Sequence, residues 1–321
     1  MISFNRGYVF ETPRDVQGYF LRDRKINVLI YIDEGKIEDE GDSTAYVYTS
    51  LKKSPEKYNV KVSYERNSDL VQEADIVFSR FDPPVKDKEI QEQKKFLEEL
   101  IQYEKGRKFY NLPSVQLAFR DKSYLERLAG SGLIPETLFT SSPHETFTFM
   151  RELDEDIVIK PIFGYGANGV KGFRKEEYNS AIEHLENLLI DGQEKVIVQR
   201  FLPEIYTEGD KRVVLVDGKP IGARLRLPAD GSILANLHAG GIAEDTTVTP
   251  RDIKVIEIAK HYLPEISQGW WGLDVIGEYL GEANVSSPGL AYAIDKANNN
   301  TRFVDAIEKS IEKSRISKVI A

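Results

Sequence analysis

Two strand-like segments in the last third of the chain carry acidic residues where a buried strand is usually apolar. Asp274 lies within the apolar run 271–277, and Glu282 and Asn284 follow shortly after it. Residues two apart on a strand share a face, so Glu282 and Asn284 point the same way, and Asp274 joins them if the segments pair as a hairpin across residues 277–279. Two carboxylates and an amide oxygen suit Mg²⁺. A half-exposed hairpin with solvated polar tips fits the same spacing, which therefore leaves both interpretations open.

Size and composition restrict the class of protein. A chain of 321 residues with 41% apolar and 30% charged residues is long enough for two or three packed units. The net charge of −9 argues against a general nucleic-acid binder, although a local basic cluster still allows an anionic small ligand. There is no cysteine, which excludes disulfides and thiolate chemistry. With no signal-like N-terminus and no membrane-length apolar run, we expect a cytoplasmic protein without a membrane partner.

The first third alternates strand-like and helical segments. The apolar or amphipathic runs are 26–32, 60–64, 74–79 and 88–103. This alternation predicts an open, mainly parallel α/β domain, in which ligands lie off the carboxyl ends of the strands. Asp33 and residues 80–84 are at such ends, although the two prolines of the latter also fit a rigid turn. A further helix is predicted to begin at residues 42–44, with Ser43 as a possible cap.

The middle of the chain holds a candidate phosphate site. Lys160 stands at the end of a buried strand, where a charge is costly without a partner. The glycine-rich segment 164–170 follows at once and allows backbone N–H groups to approach an anion, although a hairpin turn is the simpler alternative. It is not a Walker A loop, because no Gly-Lys-Ser/Thr follows. Lys122 lies at the start of a helix predicted to open at residue 120, a position that is usually just solvated.

An Asp-Gly dipeptide at residues 217–218 separates two further strand-like segments, which is a hairpin signature. Arg212, Arg224 and Arg226 lie on these strands, and the last two share a face. Paired arginines without matching acids suggest a bound carboxylate or phosphate, while a solvated outer face is the alternative. The segment 228–241 is rich in small and polar residues and is predicted to be a mobile lid.

Helices are also predicted near the end of the chain. Thr249 and Pro250 are typical of a helix start, and an amphipathic helix is expected over residues 301–313. The histidines show no metal or triad spacing, and His144, His184 and His261 are interpreted as surface residues.

Eight motifs, in this order, resemble those of the ATP-grasp superfamily and, within it, the prokaryotic glutathione synthetase family. They are Arg80-x-Asp82-Pro83-Pro84, Asn111-x-Pro113, Pro135-Glu136-Thr137-Leu138, Ile159-Lys160-Pro161, Gly209-Asp210-Lys211-Arg212, Asn236-Leu237-x-Ala239-Gly240-Gly241, Gly272-Leu273-Asp274-x-Ile276-Gly277 and Glu282-x-Asn284-Val285. The resemblance implies an α/β ATP-grasp fold with an N-terminal open, mainly parallel (Rossmann-like) domain. The implied units are residues 1–115, with 1–25 an extension of unknown role, a lid subdomain 116–200, and a subdomain 201–321 with the metal site.

The resemblance also implies roles for the matching residues. The residues matched to ATP are Lys122, Lys160, Gly164, Tyr165, Gly166, Ala167, Asn168, Gly169, Gln199, Phe201 and Leu202. Those matched to Mg²⁺, with Mn²⁺ as an alternative, are Asp274, Glu282 and Asn284. Arg212 and Arg226 match the catalytic pair that steadies the acyl phosphate and the acceptor substrate. The candidate substrate-binding residues are Asp33, Asn236, Gly240, Gly241, Ser286 and Ser287, the two serines near the carboxylate of the incoming amine.

The implied reaction phosphorylates a carboxylate with ATP and lets an amine attack the acyl phosphate. The expected function is glutathione synthase, joining γ-glutamylcysteine to glycine, in a homo-oligomer with small-molecule substrates. The alternatives are a ligase that adds glutamate or another amino acid to a different carboxylate, and a nucleotide-binding protein without turnover. Leu234, His238 and Ile242 stand where the family usually has Arg, Ala and Arg, and this leaves the peptide substrate open.

Overall fold

The computed structural model describes residues 2–3, 9–10, 24–82, 87–164, 166–229, 232–235 and 240–320. The strands are β1 (Ile2–Ser3), β2 (Val9–Phe10), β3 (Ile26–Ile32), β4 (Tyr58–Ser63), β5 (Ile76–Arg80), β6 (Lys108–Tyr110), β7 (Thr137–Thr140), β8 (Ile157–Pro161), β9 (Lys171–Phe173), β10 (Val196–Arg200), β11 (Asp210–Val216), β12 (Lys219–Leu227), β13 (Ile242–Thr246), β14 (Trp270–Ile276) and β15 (Tyr279–Asn284). The α-helices are α1 (Ser43–Lys52), α2 (Asp87–Ile101), α3 (Pro113–Ala118), α4 (Pro143–Leu153), α5 (Tyr178–Ile190), α6 (Glu204–Thr207), α7 (Pro250–Tyr262), α8 (Ala291–Ala297) and α9 (Arg302–Ile320). Over the described residues, no helix has the length and apolarity needed to span a membrane.

The first sheet is parallel, with strand order β4-β3-β5-β6, as the apolar runs predicted. Helices α1 and α9 cover one face and α2 covers the other. The predicted cap of α1 was wrong by one residue. The Asp42 carboxylate accepts the N–H groups of Thr44 and Ala45, whereas the buried Ser43 hydroxyl accepts the N–H of Ala291 at the start of α8. Aspartate is at least as good a cap as serine, so the local sequence does not separate the two.

The second sheet is antiparallel, with order β7-β10-β8-β9, and helices α4 and α5 pack against it. Lys160 is the penultimate residue of β8 and lies opposite Ile197 of β10. The segment from Lys122 to Leu128, predicted as an α-helix, is a 3₁₀ helix capped by Asp121. Short helices of this type are common as connectors, and hydrophobic periodicity over seven residues does not separate them from α-helices.

The third sheet is antiparallel, with order β13-β12-β11-β14-β15, and contains both predicted hairpins. One of its faces is apolar and packs against α7. The other face is apolar only at one end, where Val214, Val216 and Trp270 join the core of the first sheet. At the other end it carries charged residues, and this polar half is where the site lies.

The division into three units at residues 115 and 200 stays a prediction. Helix α9 packs on the first sheet through Phe303, Ile307 and Ile311, although it follows the third sheet in the chain. Of the predicted N-terminal extension, only β1, β2 and residues 24–25 fall within the described residues, and β1 pairs with β2. The predicted helix starting after Thr249 is confirmed as α7, with a full capping box between Thr249 and Asp252.

Candidate active site

Charged side chains gather on the polar half of the third sheet because of the strand register. Arg212 of β11 lies opposite Arg224 on one side and Asp274 on the other, and Asp210 lies opposite Arg226. Arg212 binds Asp274 with two hydrogen bonds, one of them from Nη2 to Oδ2 at 2.9 Å. Arg226 reaches both Asp210 and Asp274, the latter with Nη2 2.9 Å from Oδ1. Residues from three strands therefore form one buried ion-pair network.

The expectation of arginines without matching acids was wrong. Arg212 and Arg226 pair with the two buried aspartates, and Arg224 pairs with Asp245 of β13. The acids come from neighbouring strands, so the spacing within one hairpin could not reveal them. Arg212 and Arg226 remain beside the predicted metal ligands, but the protein already neutralises much of their charge.

The network shifts the pKa values of its two acids in opposite directions. Burial alone would raise the pKa of Asp274, but the Arg212 and Arg226 guanidinium groups lower it to about 2, so this carboxylate is ionised at neutral pH. Burial and the charge of Asp274 raise the pKa of Asp210 to about 6, against the opposing effect of Arg226. Oδ1 of Asp210 is buried and has no hydrogen-bond partner within the described part of the chain.

The predicted metal ligands come together on the predicted hairpin, where a register shift between Asp274 and Val275 sets their pairing. Asp274 lies opposite Glu282 and Gly272 lies opposite Asn284, and the Asn284 amide nitrogen donates to Asp274 Oδ2 at 3.2 Å. With its nitrogen engaged, Asn284 presents its amide oxygen as an acceptor. Glu282 is a third exposed and lies beside Lys122, whose Nζ is 3.3 Å from it. The donor chemistry fits Mg²⁺, which takes one or two carboxylates and completes its shell with phosphate and water.

The carboxylate of Asp274 is less available to a metal than that of Glu282. Its Oδ1 contacts Arg212 Nε and Arg226 Nη2, and its Oδ2 contacts Arg212 Nη2 and Asn284 Nδ2. A carboxylate has about four acceptor positions, and all are used here. To bind a metal, Asp274 must give up at least one of these contacts.

Two lysines face this hairpin from the phosphate side. Lys122 donates to the carbonyl of Gly164 at 2.8 Å, and Lys160 donates to Gln199 Oε1 at 2.8 Å. Gln199 in turn donates to Thr137 Oγ1 at 2.8 Å, which fixes its amide orientation. Burial lowers the pKa of Lys160 to about 8, against the opposing effect of Glu282. An anion beside Lys160 would restore its full charge.

The glycine-rich loop has the backbone that phosphate-binding turns need. Gly166, Ala167 and Gly169 all have positive φ angles, between 66° and 75°. Gly164 and Asn168 are also described, whereas Tyr165 is outside the described residues. His184, interpreted as a surface residue, is half-buried, and its Nε2 lies 2.9 Å from the carbonyl of Gly169. This contact joins residues 15 positions apart in the sequence, and the local pattern around His184 does not indicate it.

Two cavities flank the lysines. A cavity of about 140 Å³ is lined by Val158, Lys160, Ala167, Gln199, Arg200, Phe201, Leu202, Ile205, Asp210, Ile233, Leu234, Ala235 and Ile276. It contains the predicted adenine contacts, and the segment 233–235 closes one side. A smaller cavity of about 70 Å³ is lined by Phe119, Arg120, Asp121, Lys122, Tyr124, Gly164, Glu282, Ala283, Asn284, Val285, Ser286 and Ser287. The second cavity joins a predicted phosphate lysine, two predicted metal ligands and the two predicted substrate serines.

The remaining predicted substrate residues do not line either cavity or lie outside the described residues. Asp33 lies at the carboxyl end of β3, where its Oδ2 accepts the N–H of Asp82 at 2.7 Å, and it lines neither cavity. Gly240 and Gly241 lie directly before β13, and Asn236 is outside the described residues. Sequence reasoning missed Tyr124, whose hydroxyl accepts the N–H of Ala283 at 2.6 Å. This bond ties the Lys122 segment to the strand that carries Glu282 and Asn284.

Comparison with known proteins identifies relatives of this chain. The sequence model of the prokaryotic glutathione synthetase ATP-grasp domain matches residues 123–299. The glutathione synthetase of Prochlorococcus marinus subsp. pastoris is 34% identical over 259 residues, which cover 78% of this chain and 80% of that protein. The glutathione synthetase of Brucella melitensis biotype 1 is 37% identical over 181 residues, covering 55% of this chain and 56% of that protein.

Solved structures show the same fold at low identity. The D-cycloserine synthetase DcsG superposes with a TM-score of 0.65 at 17% identity, covering 89% of this chain and 99% of that one. The D-alanine–D-alanine ligase from Bacillus anthracis complexed with ATP superposes with a TM-score of 0.63 at 15% identity, covering 92% and 99%. On the strength of the family match and the 34% identical relative, the chain belongs to the prokaryotic glutathione synthetase family of ATP-grasp enzymes, which are ATP-dependent ligases.

Proposed function

We propose that this enzyme joins γ-glutamylcysteine to glycine with ATP and Mg²⁺, as a glutathione synthase. One observation carries the proposal. Lys122 Nζ lies 2.8 Å from the carbonyl of Gly164, in the glycine-rich loop, and 3.3 Å from Glu282, in the candidate metal hairpin. A single cation thus links a candidate phosphate site to a candidate metal site, as a phosphoryl-transfer centre requires.

The chemistry needs no side-chain nucleophile. The cysteinyl carboxylate oxygen attacks the γ-phosphorus of ATP and ADP leaves, and the glycine nitrogen then attacks the acyl carbon. Phosphate leaves as the amide forms, and the attacking amine, neutral at the moment of attack, gives one proton to solvent and keeps the other as the amide N–H. Lys122, Lys160 and the loop N–H groups orient the phosphates and neutralise their charge. Bound Mg²⁺, held by Glu282 and Asn284 with Asp274, would supply further neutralisation of the phosphoryl oxygens.

Arg212 and Arg226 have a second task in this proposal. Both already hold Asp274, so they present a fixed pair of guanidinium groups next to the candidate metal ligands. If Asp274 shifts a contact from a guanidinium to the metal, the freed N–H groups become donors for the acyl phosphate. Metal binding at Asp274 would therefore make N–H donors of Arg212 and Arg226 available to the substrate.

The amine substrate is the least constrained part of the proposal. Ile242, at the start of β13, is 60% exposed and apolar, and Leu234 lines the nucleotide cavity. Both stand where the family usually has arginine. This favours one alternative, a ligase of the same chemistry whose acceptor or donor differs from the glutathione pair.

The test is product formation by the purified enzyme. With ATP, Mg²⁺, γ-glutamylcysteine and glycine, we expect ADP release matched by a tripeptide in mass spectrometry, at a higher kcat/KM than with a panel of other amino acids. A preferred product with a different amine or carboxylate would support the alternative acceptor. Intact ATP binding without ADP release for every substrate pair would reject ligase function. Replacing Mg²⁺ with Mn²⁺ tests the metal preference.

We also infer a cytoplasmic homo-oligomer with small-molecule substrates and no nucleic-acid or membrane partner. The net charge of −9 supports the absence of a nucleic-acid partner. Light scattering after size exclusion measures the oligomeric state, and a monomeric mass at micromolar concentration would contradict it.

A further inference from the structure

Arg80 is a buried arginine to which the proposed reaction gives no role. It is the last residue of β5 and only 3% exposed. Its Nη1 donates to the carbonyl of Val285 at 3.1 Å, and its guanidinium lies 4.1 Å from the centre of the Trp270 ring. Its Nε has no hydrogen-bond partner among the described residues. The side chain thus runs from the first sheet to the residue that follows the candidate metal hairpin.

The charge of Arg80 is not balanced by a nearby acid. Within the described ranges, no carboxylate oxygen lies within 4.0 Å of its guanidinium nitrogens, whereas Arg212 and Arg226 both have such partners. The acids that act on it from farther away are Asp42, which caps α1, and Asp82, which pairs with Lys36. Burial lowers the pKa of Arg80 to about 9. An unpaired buried charge is unfavourable for folding, so the fold alone gives no reason for a cation here.

The carbonyl that Arg80 holds is well placed to control the substrate cavity. Asn111 donates to the same oxygen at 3.0 Å, so both of its acceptor positions are used. The peptide group is planar, and fixing the Val285 carbonyl also fixes the N–H of Ser286. Asn284, Ser286 and their neighbours line the small cavity together with Lys122. Two donors from outside the third sheet therefore set the direction in which the chain leaves β15.

We propose that Arg80 is a positioning residue for the amine substrate: it fixes Ser286 through the Val285 carbonyl, and its unbalanced charge favours a carboxylate bound at Ser286 and Ser287. The proposal rests on the proposed function for the identity of the ligand, which is the carboxylate of an α-amino acid. Arg80 itself does not contact the substrate. Its two contributions, orientation and charge, predict different behaviour for glutamine and lysine replacements.

Steady-state kinetics of two Arg80 variants test the charge and the orientation. In Arg80→Gln we expect the KM of the amine to rise about tenfold, while the KM of ATP changes less than about twofold. Arg80→Lys keeps the charge but not the planar guanidinium, so its KM for the amine should lie between those of the parent enzyme and Arg80→Gln. Arg107→Gln is the matched control, because Arg107 also donates to backbone carbonyls, of Val71 and Gln72, at the opposite end of the first sheet.

A purely structural role gives a different pattern. Equal losses of melting temperature in Arg80→Gln and Arg80→Lys, with both KM values unchanged, would overturn the proposal. If Arg80→Gln does not fold, Arg80→Lys decides: a raised KM for the amine alone supports the proposal, and an unchanged KM rejects it.

Hydrogen exchange separates this proposal from the proposed function. In the Arg80 variants we expect the peptide covering residues 283–290 to exchange about tenfold faster than in the parent enzyme, with no such change in Arg107→Gln. Exchange identical to that of the control would reject the positioning role even if the enzyme makes glutathione. Faster exchange in an enzyme that acts on another amine would support the role and reject only the glutathione assignment.

Discussion

Replacing Asp274 with asparagine should weaken both the fold and the chemistry. The carboxylate is 5% exposed and is shared by the Arg212 and Arg226 guanidinium groups. Asparagine has nearly the same shape but no charge, so it leaves two buried cations with Asp210 as their one remaining anion in the described network. Breaking a buried ion pair by removing one partner costs about 3–5 kcal/mol.

The pKa of Asp274 gives a second measure of the same interaction. The fall from 3.8 to about 2 corresponds to about 2 kcal/mol of stabilisation of the charged form. Because the folded pKa is the lower one, this contribution is complete at neutral pH and is lost only as the pH falls from about 4 towards 2. Together the two measures predict a loss of about 2–5 kcal/mol in Asp274→Asn at pH 7, or a melting temperature lower by about 3–7 °C for a chain of 321 residues.

Glu282→Gln is the matched control for this experiment. Its carboxylate is a third exposed and contacts Lys122 at 3.3 Å, so its removal should cost less than about 1 kcal/mol of stability. We expect both variants to lose ADP release at least about 100-fold, since both remove predicted metal ligands. Urea unfolding and an ADP assay measure the two effects. An Asp274→Asn protein as stable as Glu282→Gln would refute the shared role of the carboxylate, and full turnover would remove Asp274 from the mechanism.

Three further predictions concern the surroundings of the site. When ATP binds at pH 8, Lys160 should take up about half a proton, because its pKa in the free enzyme is about 8. Calorimetry in buffers of different ionisation enthalpy measures this uptake, and Lys160→Arg should abolish it. Gly269 has φ +80°, and a Cβ there would lie 2.0 Å from Asn111 Oδ1. Gly269→Ala should therefore lower the free energy of unfolding by about 3 kcal/mol, against about 1 kcal/mol for Gly106→Ala, where a Cβ meets no atom within 4 Å. Equal losses in the two variants would contradict the steric argument. Tyr124→Phe leaves a buried N–H unpaired and should cost about 1–3 kcal/mol in urea unfolding, whereas an unchanged midpoint would show that water replaces the hydroxyl.

The fold was predictable where its determinants are local. The apolar run of β3 and the amphipathic pattern of α2 depend on nearby residues, and so does the Asp-Gly turn between β11 and β12. The pairing of Asp274 with Glu282 needs more than the turn. An uninterrupted ladder from the two-residue turn after β14 would place Asp274 opposite Gly281, and a register shift between Asp274 and Val275 brings Glu282 there instead.

The contacts that give the site its electrostatics were not predictable in this way. Arg212 and Asp274 are 62 residues apart, and Arg80 reaches Val285 across 205 residues. Whether an arginine is free or paired depends on such long-range packing, and a hairpin read in isolation contains only one of the partners. This is why the arginines were expected to be without acids, and why Arg80 was assigned only to a turn or a strand end.

Isotope transfer from the substrate carboxylate to phosphate shows whether the enzyme forms an acyl phosphate. The enzyme is supplied with γ-glutamylcysteine carrying ¹⁸O in its cysteinyl carboxylate, together with ATP, Mg²⁺ and glycine. We expect the inorganic phosphate released with each amide bond to contain one ¹⁸O atom from that carboxylate, and the nucleotide product to be ADP. Unlabelled phosphate, or AMP and pyrophosphate in place of ADP and phosphate, would contradict it.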